Sequence, residues 1–451
     1  VAYTYITFAQ AKTNLAARLY PSSPFYADSE LGVYIIEALR TFNALSNFQR
    51  TEFAFNTRTG VTWYDLTDAT NLPNTIRAMT AKDSDLISAI QYHLLEPYNV
   101  TYPLSWGGSK QFTFLDLLNA LSQIRDQILS ETSCTLTQSL ITAASGRTLL
   151  PGNTIDLRRV CWIPNTNALG YTANLLMPAD EHSNLSFEPG WPQLSAGTPN
   201  VFKQSAQPPP SFDVDVQPAV AGNYDALTVN AGAALSLTSA TVLPIPNDWT
   251  WVLKWGALAT LLNKDSSSRD VYRAKYCLDR FKQGLAALYR APSILAARIA
   301  NIPVGIDSVR EADCYRANWQ GIAGGTPDSV FCAGLNLLAL SPIPNSNLIS
   351  ITAGVVENMP VPSADGDYLQ VGQDDLEMIL GEAQHIATFK CGGWEFSGTM
   401  PLHASFVRHC ALYNSKLAAM SEFKEILYGK AFQEKVVNPV FSNADPVTIE
   451  A

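Results

Sequence analysis

One local pattern occurs twice in this chain at a fixed distance, and that repeat constrains the fold more than any single motif. The first copy reads Gly190-Trp191-Pro192-Gln193 and then Gly197-Thr198-Pro199-Asn200-Val201-Phe202. The second reads Asn318-Trp319-Gln320-Gly321 and then Gly325-Thr326-Pro327-Asp328-Ser329-Val330-Phe331. Trp191 and Trp319 are 128 positions apart, and so are the two Gly-Thr-Pro triplets. A preserved period of this kind marks a duplicated structural unit and fixes the architecture before local signals are weighed. No reactive residues are duplicated with it, so the repeat points to a scaffold.

The rest of the chain reads as helix pairs alternating with β segments. Residues 4–48 contain two helices. Thr7 with Gln10 forms a capping box, and Phe8, Ala11, Leu15 and Leu19 share one face. Asp28 is the expected N-cap of the second helix, whose Leu31, Ile35, Ala38, Phe42 and Leu45 form a buried stripe. Tyr34, Ile35, Ala38 and Leu39 are expected in its core. Residues 51–66 predict a hairpin that turns at Arg58-Thr59-Gly60. Helices follow over 84–96 and after Thr113. From Cys134 to Pro246 the chain is rich in β-branched residues, Pro and Gly. Asp248 is expected to cap a helix reaching about Asn263, and a longer helix covers 269–289. A second β region spans about 298–371. Its Leu338 and Leu340 match Val214 and Val216 at an offset of 124, and Met359-Pro360-Val361-Pro362 parallels Leu243-Pro244-Ile245-Pro246 at 116. Residues 374–391 and 399–429 make the last helix pair.

The expected fold class is therefore α+β: a helical bundle built from several helix pairs, with two related, inserted β-sandwich or barrel-like units. The expected organisation is an N-terminal helical region with a β-hairpin (1–132), a first β unit (133–246), a central helix pair (247–297), a second β unit (298–372) and a C-terminal helix pair with an extended tail (373–451).

Composition narrows the function classes. The chain has 451 residues, 47% hydrophobic and only 16% charged, with 18 Tyr and 9 Trp. That balance excludes a disordered chain and fits a surface packed against other proteins. The net charge of −10 argues against sequence-independent nucleic-acid binding, which rewards cationic surfaces. Seven scattered cysteines without a CxxC pair predict reduced, mostly buried thiols. No apolar run approaches the ~20 residues of a spanning helix, and Val1-Ala2-Tyr3 does not open a secretory leader.

A search for chemistry finds only weak candidates. His403, His409 and Cys410 lack the paired short spacings of a zinc site. Asp180-Glu181-His182 places acids beside a histidine, but no G-x-S-x-G elbow supplies a nucleophile. Asp365-Gly366-Asp367 and Asp374-Asp375 lack the ligand series of a calcium loop. No phosphate-binding G-x-x-x-x-G-K-[ST] occurs. Trp191 and Trp319 could serve as sugar-stacking platforms or as core anchors. The expectation is a chain with no catalytic residues, no cofactor and no metal.

A resemblance takes the reading further. Leu15-Ala16-Ala17-Arg18-Leu19, Tyr26-Ala27-Asp28-Ser29-Glu30-Leu31 and Tyr34-Ile35-Ile36-Glu37-Ala38-Leu39-Arg40 resemble the start of tailed-bacteriophage neck proteins of the head–tail adaptor (connector) type. Ile245-Pro246-Asn247-Asp248-Trp249 and Gln384-His385-Ile386-Ala387-Thr388-Phe389-Lys390 resemble their later helix pairs. The similarity covers about half of the chain, chiefly its helices, and the inserted β units depart from it. The resemblance implies a virion structural protein of the neck, assembled in the host cytoplasm and docked between portal and tail. It also implies a closed homo-oligomeric ring, a dodecamer by the family pattern. DNA would pass nearby without specific binding, and no membrane is involved. Glu37, Arg40, Arg50 and Glu52 are the expected interface residues. The alternative is a tail or baseplate binding module whose β units read a receptor or glycan.

Overall fold

The computed structural model describes residues 5–19, 25–67, 78–96, 101–104, 111–143, 147–165, 173–180, 195–205, 208–265, 269–316, 319–322 and 324–428. In chain order the described elements are α1 (Phe8–Leu19), α2 (Asp28–Ser46), β1 (Arg50–Asn56), β2 (Trp63–Asp65), α3 (Asp83–Leu94) and α4 (Phe114–Thr132). Seven strands follow: β3 (Thr137–Thr142), β4 (Thr148–Leu149), β5 (Thr154–Pro164), β6 (Asn174–Pro178), β7 (Val201–Ser205), β8 (Ser211–Val214) and β9 (Gly222–Asn230). Then come α5 (Thr250–Leu262), α6 (Val271–Tyr289), β10 (Ile294–Ile299), β11 (Ile302–Val304), β12 (Ile306–Ser308), α7 (Val309–Tyr315), β13 (Ser329–Ala333), β14 (Leu337–Ser341) and β15 (Ser350–Val356). The chain closes with α8 (Gln373–Thr388), α9 (Gly393–Gly398), α10 (Met400–Tyr413), α11 (Lys416–Ala419) and α12 (Ser421–Tyr428). The α+β class is as expected.

The strand order shows that the duplicated unit is larger than the β segments. The first β unit is one seven-stranded sheet in the order β3-β9-β5-β6-β7-β8-β4. The second consists of two four-stranded sheets, β1-β15-β10-β11 and β12-β13-β14-β2. These are the same topology. β6 pairs with β5 through its first residues and with β7 through its last. The segment 302–308 does the same in the second unit, where Gly305 divides it into β11 and β12. The 128-residue period holds in the strand register. Pro178 lies opposite Phe202 in a parallel pair, and Ile306 lies opposite Val330. Gly197 and Gly325 each bridge a downstream proline, Pro218 and Pro344 respectively.

The flanking helices repeat too. α1 and α3 are both 12 residues long, and α2 and α4 both 19. α2 and α4 each end on a left-handed residue, Asn47 and Ser133, that turns the chain into the next strand. One small contact is reproduced in both copies. The Phe8 amide donates to the Asp367 carbonyl (2.8 Å) and the Leu369 amide to the Ile6 carbonyl (3.0 Å). In the other copy the Asp83 amide donates to Thr241 (3.0 Å) and the Leu243 amide to Ala81 (2.9 Å). Leu243 thus corresponds to Leu369, at an offset of 126. The proline-based offset of 116 does not hold. The paired strands β8 and β14 likewise match at 126, with Val214 equivalent to Leu340, which replaces the expected 124.

The copies are nested. One consists of α1, α2, β1, β2, β10–β15 and α8 with the helices after it. The other, α3 to α6 with β3–β9, is inserted whole between β2 and β10. This overturns the expected hairpin at 51–66. The turn is present, with Gly60 at φ 78°, but β1 pairs with β15 and β2 with β14, in different sheets. Residues 50–65 therefore belong to the second β unit, not to an N-terminal helical region.

Helices of both copies share one continuous apolar core, and each β unit has its own smaller core. Local signals explain most helix starts. Thr7 and Gln10 exchange their expected bonds (2.9 and 3.3 Å), as do Thr113 and Asp116. Asp28 is the first residue of α2, and the cap is Ala27. Asp248 does not cap α5. It is buried and accepts from the Asn43 side chain (2.6 Å) and the Met359 amide (2.9 Å). Tyr34, Ile35, Ala38 and Leu39 lie fully in the core.

Gly256 permits the tight crossing of α5 with α4 and α6. A Cβ there would sit 2.5 Å from Ile124 Cγ2 and 2.8 Å from Phe281. Alanine favours a helix by ~1 kcal/mol over glycine, but overpacking costs ~1–3 kcal/mol. Gly256→Ala should therefore lower the urea midpoint. A rise in that midpoint would show that the crossing is looser than described here.

Candidate functional site at the seam between the copies

The two copies meet where α2 packs on α3, α5 and α6, and where α8 and α10 face α6. Three charged clusters are buried in and beside this seam. Lys254 of α5 reaches Glu37 of α2, the Nε2 of His93 on α3 (3.0 Å), and the face of Trp255 (4.1 Å). The Trp255 indole donates to the other Glu37 oxygen (3.0 Å). Arg280 of α6 donates to Glu382 of α8 (2.7 Å). Within the outer copy, Lys390 donates to Glu30 (2.7 Å), which also accepts from the Tyr34 hydroxyl.

The Arg280 cluster is the nearest approach to a catalytic constellation. His403 Nδ1 lies 2.9 Å from Glu382, and its Nε2 lies 3.0 Å from Arg280. A neutral ring with its hydrogen on Nδ1 satisfies both neighbours. His385 stacks on His403 at 5.2 Å and lies between Tyr276 (2.6 Å) and Thr399 (2.9 Å). Burial pushes Glu382 upward, but the Arg280 charge and the hydrogen bond from His403 outweigh it and hold the carboxyl well below its ordinary range. Burial lowers the pKa of His385 and His403 and keeps them neutral. Burial and the Lys254 charge do the same to His93. Glu382 and His385 are 0% exposed and His403 4%, so these groups fix helices to one another without reaching a substrate.

The expected interface residues separate into two places. Glu37, expected at the surface, is buried and paired with Lys254, because the inserted copy covers that side of α2. Arg40, one turn on, is half-buried and borders a cleft of about 330 Å³ between α2, α3 and α5. Arg50 and Glu52 lie exposed on the edge strand β1. The Arg50 side chain donates to the Asn47 carbonyl (2.8 Å), and Glu52 lies 3.9 Å from Arg298.

Trp319 is an anchor between the β units. It is 1% exposed, packs against Trp63 and Phe331, and lies beneath Arg159 of the other unit. Asp313 accepts from both the Trp319 indole (2.8 Å) and Arg159 (2.8 Å). Asp225 accepts from the Trp63 indole (2.8 Å) and from Gln320. The β units are thus joined by polar contacts and do not project separately. Trp191, Glu181 and His182 lie outside the described residues. Of the seven free cysteines four are buried, and burial pushes the Cys161 thiol up to about 12. Among the described residues no group of three His, Cys, Asp or Glu is placed to hold a metal ion, and no helix is long and apolar enough to cross a membrane. Neither a protein-family model nor a curated protein matches this chain.

Two predictions follow from the buried charges. Removing one partner of a buried pair strands the other at a cost of ~3–5 kcal/mol, whereas an apolar replacement of both can be near neutral. Glu37→Met should therefore destabilise strongly, and Glu37→Met with Lys254→Met should recover most of the loss in denaturant melts. Additive losses would mean the pair is not coupled. The three buried histidines bind fewer protons folded than unfolded, so stability should hold above pH 7 and fall below their unfolded pKa near 6.5. Each contributes up to about 1.4 kcal/mol per pH unit. Glu382 extends the loss below its unfolded pKa. A urea midpoint unchanged between pH 7.5 and 5 would show that these rings are protonated in the fold.

Proposed function

We propose that this protein is a virion structural component of a tailed bacteriophage, a head–tail adaptor of the neck that docks between portal and tail. The observation that carries the reading is the likeness of residues 15–40 to neck adaptors, together with the place of that segment. α2, which holds half of it, is the central helix of the bundle and touches both copies. The architecture suits such a role. Two related helix–β units share one core and are tied by buried ion pairs, which favours a rigid body able to carry load between neighbours. A net charge of −10 suits a wall along which DNA passes without adhering. Assembly would take place in the host cytoplasm, with a homo-oligomeric ring as the working form. In the alternative, a receptor- or glycan-reading tail module, the second copy would need an exposed aromatic platform, and its Trp319 is covered.

Native mass spectrometry with negative-stain microscopy, with and without portal protein, tests this. The expected result is a closed ring, or a monomer that closes into a ring on portal. A species indifferent to portal and to tail proteins would overturn it.

A further inference from the structure

One flank of α6 carries a regular stripe that is only partly covered. Val271, Leu278 and Leu285 are seven residues apart, and so are Lys275, Lys282 and Tyr289. Seven residues are two helical turns, so all six side chains lie along one line. Val271 is 57% exposed, Leu278 41% and Tyr289 62%. Two clefts follow the stripe. The upper one, of about 420 Å³, lies against Ala259 and Asn263 of α5 and takes in Val271, Lys275 and Leu278. The lower one, of about 310 Å³, takes in Lys282, Leu285 and Tyr289 with Glu131 of α4 and Glu422 of α12. The ion pairs of α6 among the described residues are those of Arg273 with Asp270 and Arg280 with Glu382. Lys275 and Lys282 are thus unpaired. Asp279, Glu131 and Glu422 are the acids beside the stripe, and none of them holds either lysine.

α12 shows what continues along this line. It packs on both α6 and α10, and Glu422 at its start borders the lower cleft. The Ile426 carbonyl, one turn later, accepts from Arg408 of α10 (3.4 Å). α6 and α10 are level where Arg280 meets His403, so Arg408 stands near the height of Leu285. α12 therefore climbs from the Tyr289 end of the stripe toward Leu278. From Tyr428 the sequence has 23 more residues. Residues 436–451 contain Val436, Val437, Val440, Phe441, Val447 and Ile449, with Asp445 and Glu450 and no Lys or Arg. The whole stripe is ~27 Å long at 1.5 Å per helical residue, well within the reach of 16 residues at up to ~3.3 Å each.

We propose that residues 436–451 lie along α6 of their own chain, extending the surface that α12 already covers. Their apolar side chains would cover Val271, Leu278 and Leu285, and Asp445 and Glu450 would meet Lys275 and Lys282. An apolar stripe flanked by free cations matches a segment that is apolar and purely acidic. Docking of this kind does not depend on a role in a phage neck.

The test is site-specific photocrosslinking in the full chain, with Leu278→p-benzoylphenylalanine. Irradiated protein is separated by mass under denaturing conditions, and the crosslinked peptides are mapped. The expected product has the mass of one chain and joins position 278 to a residue within 436–451. The same probe at Leu348, 84% exposed in the second β unit, should give no such product. Lys275→Glu with Lys282→Glu should lower the yield about threefold, the scale of exposed ion pairs, and Asp445→Lys with Glu450→Lys should restore it. A product of two-chain mass would assign the stripe to a second copy and overturn docking within the chain. Crosslinks outside 436–451, none at all, or a yield indifferent to the charge reversal would overturn it as well.

Discussion

The arrangement of this molecule depends on the buried ion pairs that cross between its two halves. Glu37 belongs to one copy and Lys254 to the other, and Arg280 and Glu382 are divided in the same way. A carboxylate or ammonium group leaves water at a cost of several kcal/mol, which only a well-placed partner offsets. Any other register of the two halves would leave four such charges unpaired. Apolar contact supplies most of the adhesion, since both halves contribute to one core. The charges decide which of many apolar packings is the native one.

The contact between the halves is not reciprocal. α2 of the outer copy covers α3, α5 and α6 of the inner copy, and the corresponding face of the inner copy, on α4, covers nothing comparable. An interface of this head-to-tail kind can in principle repeat from one molecule to the next. The residues forbid it here. Where α2 has Val33, Ile36, Glu37 and Arg40, α4 has Asn119, Ser122, Gln123 and Asp126, all exposed or half-exposed. This is the polar outer face of a terminal repeat. Under the proposed role, contacts between copies would be made by other surfaces, and the edge strand bearing Arg50 and Glu52 is open to a neighbour.

Much of this fold was legible in the sequence, because it depends on short-range rules. The capping box at Thr7, the helix start at Thr113, the apolar stripe of α2 and the 128-residue period all express local geometry, and each reappears in the structure. Three features were hidden, for a common reason. The separation of β1 from β2, the burial of Glu37 and the role of Asp248 are all decided by residues more than a hundred positions away. A glutamate next to Arg40 on an amphipathic helix reads as surface until a second copy of the fold covers that face. The nesting itself left a trace in the equal lengths of α1 and α3 and of α2 and α4, which a comparison of helix spacings would have found.

The nesting also sets an order of events on the ribosome. The inserted copy is continuous in sequence and has every strand of its sheet once residue 230 has emerged. The outer copy is not so placed. Its first two strands end at Asp65 and their sheet partners begin at Ile294, so β1 and β2 must wait while the intervening chain is made. At ~5–20 residues per second that interval is on the order of ten to fifty seconds. During it two short strands with apolar faces, including Phe53, Phe55 and Tyr64, have no sheet to join. Holding such segments apart from other nascent chains is a task for a chaperone or for the already folded inner copy.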